Sequence, residues 1–161
     1  PHLSMELLQS MTGAKLTAVQ YKGAAPALTD VLAGHIPMMF VSTGMIVQPW
    51  KSGKLRPLGA GTGERFAQYP DLPTVAETLP GFTAVVWFGL FAPTGTPRDV
   101  VNKINESVQR ILAEPEFRAR TLVPNLYGVM RGSPDEFAEH IRSDSARWRK
   151  VIQDAKIVAE D

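Results

Sequence analysis

With 161 residues, 44% of them apolar, the chain can build one substantial core or two small ones. Its 17 basic and 16 acidic residues leave a net charge of +1, without the basic stripe that nucleic-acid binding needs. The absence of cysteine excludes disulfides and thiolate metal sites, and no apolar run is long enough to cross a membrane.

Leu3, Leu7, Leu8 and Met11 recur at helical spacing, which predicts a first helix over 1–12 stopped by Gly13. Apolar segment 16–21 reads as a strand. Lys22 and Gly23 turn the chain, and Ala24, Ala25 and Pro26 open a helix over 24–33, proline being suited to a first turn. Leu28, Val31 and Leu32 give it an apolar face, and Gly34 stops it. Segment 36–41 reads as a second strand. Ser42 or Thr43 caps a third helix reaching Lys51, and 55–59 follows as another strand. Strand, helix and strand at this spacing predict βαβ units, a parallel sheet and an α/β fold.

Gly59-Ala60-Gly61-Thr62-Gly63 lacks the Gly-Lys-Ser/Thr ending of a phosphate loop and reads as an exposed glycine-rich loop. A proline-rich connector over 69–80 holds a short helix at 74–78. Segment 82–92 reads as an extended aromatic strand. Thr96-Pro97-Arg98-Asp99 predicts a helix with a threonine cap, buried through Val100, Val101, Ile104, Val108, Ile111 and Leu112. Glu114-Pro115 begins a short helix, and 127–130 reads as a strand. Ser133-Pro134-Asp135-Glu136 is a capping box for a last helix lined by Phe137, Ile141, Trp148 and Ile152.

The two βα turns carry the candidate site. Turns at the carboxyl ends of parallel strands lie along one edge, where open α/β sheets bind ligands. Lys22, Gly23, Ala24 and Ala25 precede one helix, and Ser42 and Thr43 precede the next. A helix amino terminus offers free N–H groups and a dipole that favour an anion. Small residues at 23–25 admit a ligand close to the backbone, and the two hydroxyls can donate to a carboxylate. The same features serve tight packing and helix capping, and from spacing alone that plainer reading leads. Lys22 can steer an anion or simply be solvated.

Other chemistry is weakly signalled. His2, His35 and His140 have no metal-ligand spacing. His140 reads as solvated on a polar helix face, His35 as a turn residue, and His2 as lying at a helix start. Phe40-Val41-Ser42-Thr43-Gly44 has the outline of a nucleophile elbow without its first glycine, and no histidine and acid are placed as partners. An α/β carboxylate-handling hydrolase is therefore the alternative reading, and a purely structural module comes third.

Tyr21-Lys22-Gly23-Ala24-Ala25-Pro26-Ala27-Leu28-Thr29-Asp30 resembles a segment of the Bug/TctC proteins, extracytoplasmic solute receptors of tripartite tricarboxylate transporters. Further matches follow in order: Gly53-Lys54-Leu55-Arg56, Pro73-Thr74-Val75-Ala76-Glu77, Trp87-Phe88-Gly89-Leu90-Phe91-Ala92-Pro93, Gly95-Thr96-Pro97, and the helix holding Trp148 and Lys150-Val151-Ile152. The resemblance implies a type II periplasmic-binding-protein-like fold. Segment 1–86 would then be most of the ligand-binding domain 2, and 87–161 the carboxyl-terminal portion of domain 1. It also implies a periplasmic protein with no enzymatic activity and no cofactor, which delivers a small carboxylate to membrane permease subunits. Relatives are about twice this long, so the expectation is a carboxyl half whose exposed strand edges favour self-association. In such receptors backbone N–H groups of the 22–25 and 42–43 turns hold carboxylates, which reverses the plainer reading. Many relatives carry an acid where this chain has Val41, so the ligand expected here is a mono- or dicarboxylate without an amine.

Overall fold

A computed structural model describes residues 1–157, and the end of the 87–161 segment, 158–161, lies outside the described residues. The helices are α1 (His2–Thr12), α2 (Ala24–Ala33), α3 (Thr43–Lys51), α4 (Arg98–Ala113), α5 (Pro115–Phe117) and α6 (Pro134–Asp154). Gly13 and Gly34 end α1 and α2 in the left-handed conformation, at φ 72° and 80°, as glycine past a last helical turn does. The chain falls into two compact units: Pro1–Val86 with the segment from Lys150, and Trp87–Arg149.

Of the expected parallel sheet, no strand is assigned among the described residues. Segments 16–21, 36–41 and 55–59 lie outside helices, and among the described residues the one bridge is a parallel pairing of Ala60 with Thr74. An apolar run marks a candidate strand, whereas a strand also needs a neighbour to exchange N–H and C=O bonds with. Segments 82–92 and 127–130 likewise lie outside helices, with no ladder assigned.

In the first unit Ala27, Val47, Ala60, Leu72, Phe82 and Val151 are buried, and Phe82, fully enclosed, contributes about 2 kcal/mol. Phe40 stacks on Phe82 with ring centroids 5.9 Å apart. The 59–63 segment, expected to be exposed, is part of this packing. Ala60 exchanges backbone bonds with the strip leading to Val75, and Gly61 accepts from the Ala84 N–H at 2.8 Å. A Cβ on Gly61 would lie 2.5 Å from the Ala84 carbonyl oxygen, so glycine there is a packing requirement. Val75–Glu77 forms a 3-10 turn closed by a Thr74/Glu77 capping box.

In the second unit, Ser133 and Glu136 form the expected capping box of α6: the Ser133 N–H donates to Glu136 Oε2 at 2.7 Å and the Glu136 N–H to Ser133 Oγ at 3.2 Å. Thr96 does not cap α4; its hydroxyl donates to the Pro93 carbonyl, closing a turn, and Pro97 takes the cap position. Val100, Ile104 and Ile111 are exposed, contrary to the apolar stripe. The Asn105 and Gln109 amides both donate to the Gly132 carbonyl, which turns the 101–105–108–109–112 face inward instead. The helical path from α5 continues through a π turn (Arg118–Leu122) and a 3-10 turn (Val123–Asn125), longer than the short helix expected.

His140 is not solvated as expected. Its ring packs 5.6 Å from Trp87 and 6.5 Å from Phe137, and its Nε2 is buried with no hydrogen-bond partner among the described residues. The Phe137 ring comes so close to the 82–92 segment that a Cβ on Gly89 would overlap its Cζ. On the last helix Val151 is buried while Ile152 stays 37% exposed.

Candidate functional site

The 22–25 turn lies between the 13–21 segment, which is outside helices, and α2. Gly23 holds φ 116° and ψ 173°, a conformation that side chains of L-residues rarely adopt. A Cβ there would meet no protein atom within 4 Å, so backbone conformation, not crowding within the protein, selects glycine. Lys22 and Ala25 are exposed, and Ala24 is half-buried. No side chain caps α2 and no acid sits in its first turn. The N–H groups of Ala24 and Ala25 therefore keep the unpaired character of a helix start.

Ser42 occupies the cap position of α3 in an extended conformation, but its side chain makes no capping bond. The first turn of α3 is also free of acids. Ser42 and Thr43 are half-buried, and the Ser42 carbonyl accepts from the Met45 N–H at 3.1 Å. Both turns thus present helix amino ends within the first unit. Neither has a carboxylate of its own in the helix's first turn to compete with an anion.

Sequence reasoning missed a side-chain cluster around the first turn. Tyr21 donates its hydroxyl to Asp30 Oδ2 at 2.7 Å, and His35 Nδ1 lies 3.2 Å from Asp30 Oδ1. The bond to Asp30, with some burial, pushes the Tyr21 phenol up. The Tyr21 hydroxyl, helped by His35, holds Asp30 below the usual carboxylate range. The pair was visible in the Tyr21–Asp30 stretch, nine residues apart, but only the fold shows that they meet.

The remaining features are less suited to an anion. A cavity of about 260 Å³ in the second unit is lined by Leu90, Phe91, Pro93, Val101, Phe137 and Ile141, with no charged residue in its wall. No group of three or more His, Asp or Glu residues that could hold a metal occurs among the described residues. No helix among them is long and apolar enough to cross a membrane.

Solved structures extend the comparison. R. palustris Rpa4515 with adipate is 34% identical, with a TM-score of 0.89 over 98% of this chain and 52% of that one. The periplasmic binding protein BugD is 30% identical, with a TM-score of 0.85 over 99% of this chain and 54% of its own. MatC from Rhodopseudomonas palustris with bound malate is 30% identical, with a TM-score of 0.78 over 94% and 52%. The fold is therefore that of periplasmic binding proteins of this type. The chain spans about half the length of the curated relatives it matches. With a family model matched over residues 1–157, the chain belongs to the TctC family, the tripartite tricarboxylate transporter family receptors.

Proposed function

We propose that this chain captures a small carboxylate reversibly, in the periplasm, for the permease subunits of a tripartite tricarboxylate transporter. The carrying observation is the pair of acid-free helix amino ends, Lys22-Gly23-Ala24-Ala25 and Ser42-Thr43, in a chain 34% identical to a protein holding adipate. Backbone N–H groups would bind the carboxylate, with Ser42 and Thr43 adding hydroxyl donors and Lys22 drawing the anion in. Val41, apolar where an amine-pairing acid would stand, favours ligands without an amino group. Capture needs no bond-making, so no residue is given a catalytic role.

Segment 1–86, with the chain from Lys150 that belongs to the same compact unit, is proposed as the ligand-binding lobe, and the rest of 87–161 as part of the other. Closure of two lobes about a hinge would bury the anion and signal occupancy to the permease. A chain of this length would supply one wall of that cleft, binding weakly and tending to self-associate. Calorimetry with adipate, malate and a series of monocarboxylates tests the reading, run on this chain and on a receptor of its relatives' full length. Heat of binding, tighter in the longer protein, is expected; equal affinity in both would refute the two-wall account. Turnover of a carboxylate ester that ceases in Ser42→Ala would instead establish the hydrolase.

A further inference from the structure

Tyr21 and Asp30 stand on opposite sides of the 22–25 turn. Tyr21 ends the segment that precedes the turn, and Asp30 is the seventh residue of α2, about 9 Å along the axis from its first. The phenol reaches Asp30 at 2.7 Å, which holds the residue before the turn against the second turn of the helix. That one bond therefore fixes the angle between segment and helix. Few soft backbone dihedrals remain in Lys22 and Gly23 to connect them.

Asp30 also anchors the far end of α2. Its carbonyl accepts from the His35 N–H at 2.9 Å, while its carboxylate meets the His35 ring. The whole helix, and the N–H groups at its start, are thus referenced to one carboxylate. Asp30 is held below the usual carboxylate range by the Tyr21 hydroxyl first and His35 second, which keeps the bond charge-assisted at neutral pH.

We propose that Tyr21 and Asp30, backed by His35, are positioning residues that clamp the 22–25 turn in its ligand-ready shape. Affinity then depends on side chains that never touch the ligand, because a turn already in the bound geometry loses less freedom when the anion arrives. The clamp rests on the carboxylate site proposed above.

The test is a double-mutant cycle in this chain, with adipate as the probe. Tyr21→Phe keeps the ring and removes the hydroxyl, Asp30→Ala removes the acceptor, and Asp30→Asn retains an oxygen for the phenol. Tyr21→Phe and Asp30→Ala should each raise Kd about tenfold, the size of one lost hydrogen bond. The double variant should lose no more than Asp30→Ala alone, and Asp30→Asn should recover most of the loss. In the ligand-free protein, ¹⁵N relaxation should show Lys22, Gly23 and Ala24 more mobile in Tyr21→Phe.

Additive losses, or melting temperatures that fall while Kd and turn mobility hold, would overturn the clamp. Gly23→Val separates the two ideas. If it abolishes binding while Tyr21→Phe and Asp30→Ala bind as wild type, the site stands and the clamp is wrong. If Gly23→Val binds as wild type, the turn is not the site and the clamp falls with it.

Discussion

Trp87 donates its indole N–H to Asp144 Oδ2 at 2.9 Å, joining residues 57 apart in sequence. The same indole meets Phe137 edge-on, with centroids 5.5 Å apart, and His140 at 5.6 Å. Burial pushes the Asp144 carboxyl up, but the Trp87 and Arg147 hydrogen bonds outweigh it and leave Asp144 below its ordinary range. Trp87→Phe would keep much of the ring packing and leave the carboxylate one donor short. It should cost about 1–2 kcal/mol, the scale of a hydrogen bond to a charged group. Urea unfolding should show a lower midpoint at unchanged slope; an unmoved midpoint would show that water replaces the indole without loss.

Acid sensitivity should centre on Glu77. Arg65 grips its carboxylate with two bonds, of 2.8 and 2.5 Å, and the Thr74 N–H adds a third at 2.9 Å. Arg65 first and Thr74 second lower the Glu77 pKa from 4.5 to about 2. A depressed folded-state pKa means that the unfolded chain binds the proton first. The stabilisation is therefore complete above pH 4.5 and is lost as pH falls towards 2. Melting temperature should drop through this window in the wild type, and the drop should shrink in Glu77→Gln. Identical pH profiles for the two proteins would remove Glu77 from the account.

Gly61→Ala should be among the most damaging single-atom-group additions to the first unit. The added Cβ would press on the Ala84 carbonyl oxygen, which is backbone and cannot swing aside. Overpacking of this kind costs about 1–3 kcal/mol. Gly63→Ala, two residues on, meets open space and should be near neutral. Thermal melts of the two variants side by side test the contrast, and equal losses would contradict it.

Helix limits were legible in the sequence because local chemistry sets them. Gly13 and Gly34 stop helices through a left-handed backbone, and the Ser133/Glu136 box starts one within four residues. What lay across the chain was not legible. The inward face of α4 is decided by Asn105 and Gln109 reaching Gly132, more than 20 residues away, not by its most apolar stripe. His140 looked polar by its neighbours on α6, but aromatic rings cover it. Strand pairing has the same limit: segments 16–21 and 36–41 are largely apolar runs, but no local residue specifies which backbone lies alongside. At the candidate site, the Gly23 turn was readable from composition, whereas its connection to Asp30 through Tyr21 depends on the path of the chain.

The site prediction separates ligand contact from fold maintenance at two residues. Ser42 holds the cap position of α3 without a capping bond, so Ser42→Ala should leave the melting temperature nearly unchanged. If its hydroxyl donates to the bound carboxylate, affinity should fall by about 1 kcal/mol for the lost hydrogen bond. Gly23 behaves differently. Its φ of 116° imposes backbone strain on any replacement, on the order of 1–3 kcal/mol, while the Cβ itself meets no protein atom. Gly23→Ala and Gly23→Val should therefore share a similar loss of stability. They should differ in adipate affinity, because only the space a ligand would fill distinguishes their side chains. Calorimetry and thermal melts on both variants would show valine abolishing binding and alanine weakening it. Equal affinities for the two would mean that no anion lies against this turn.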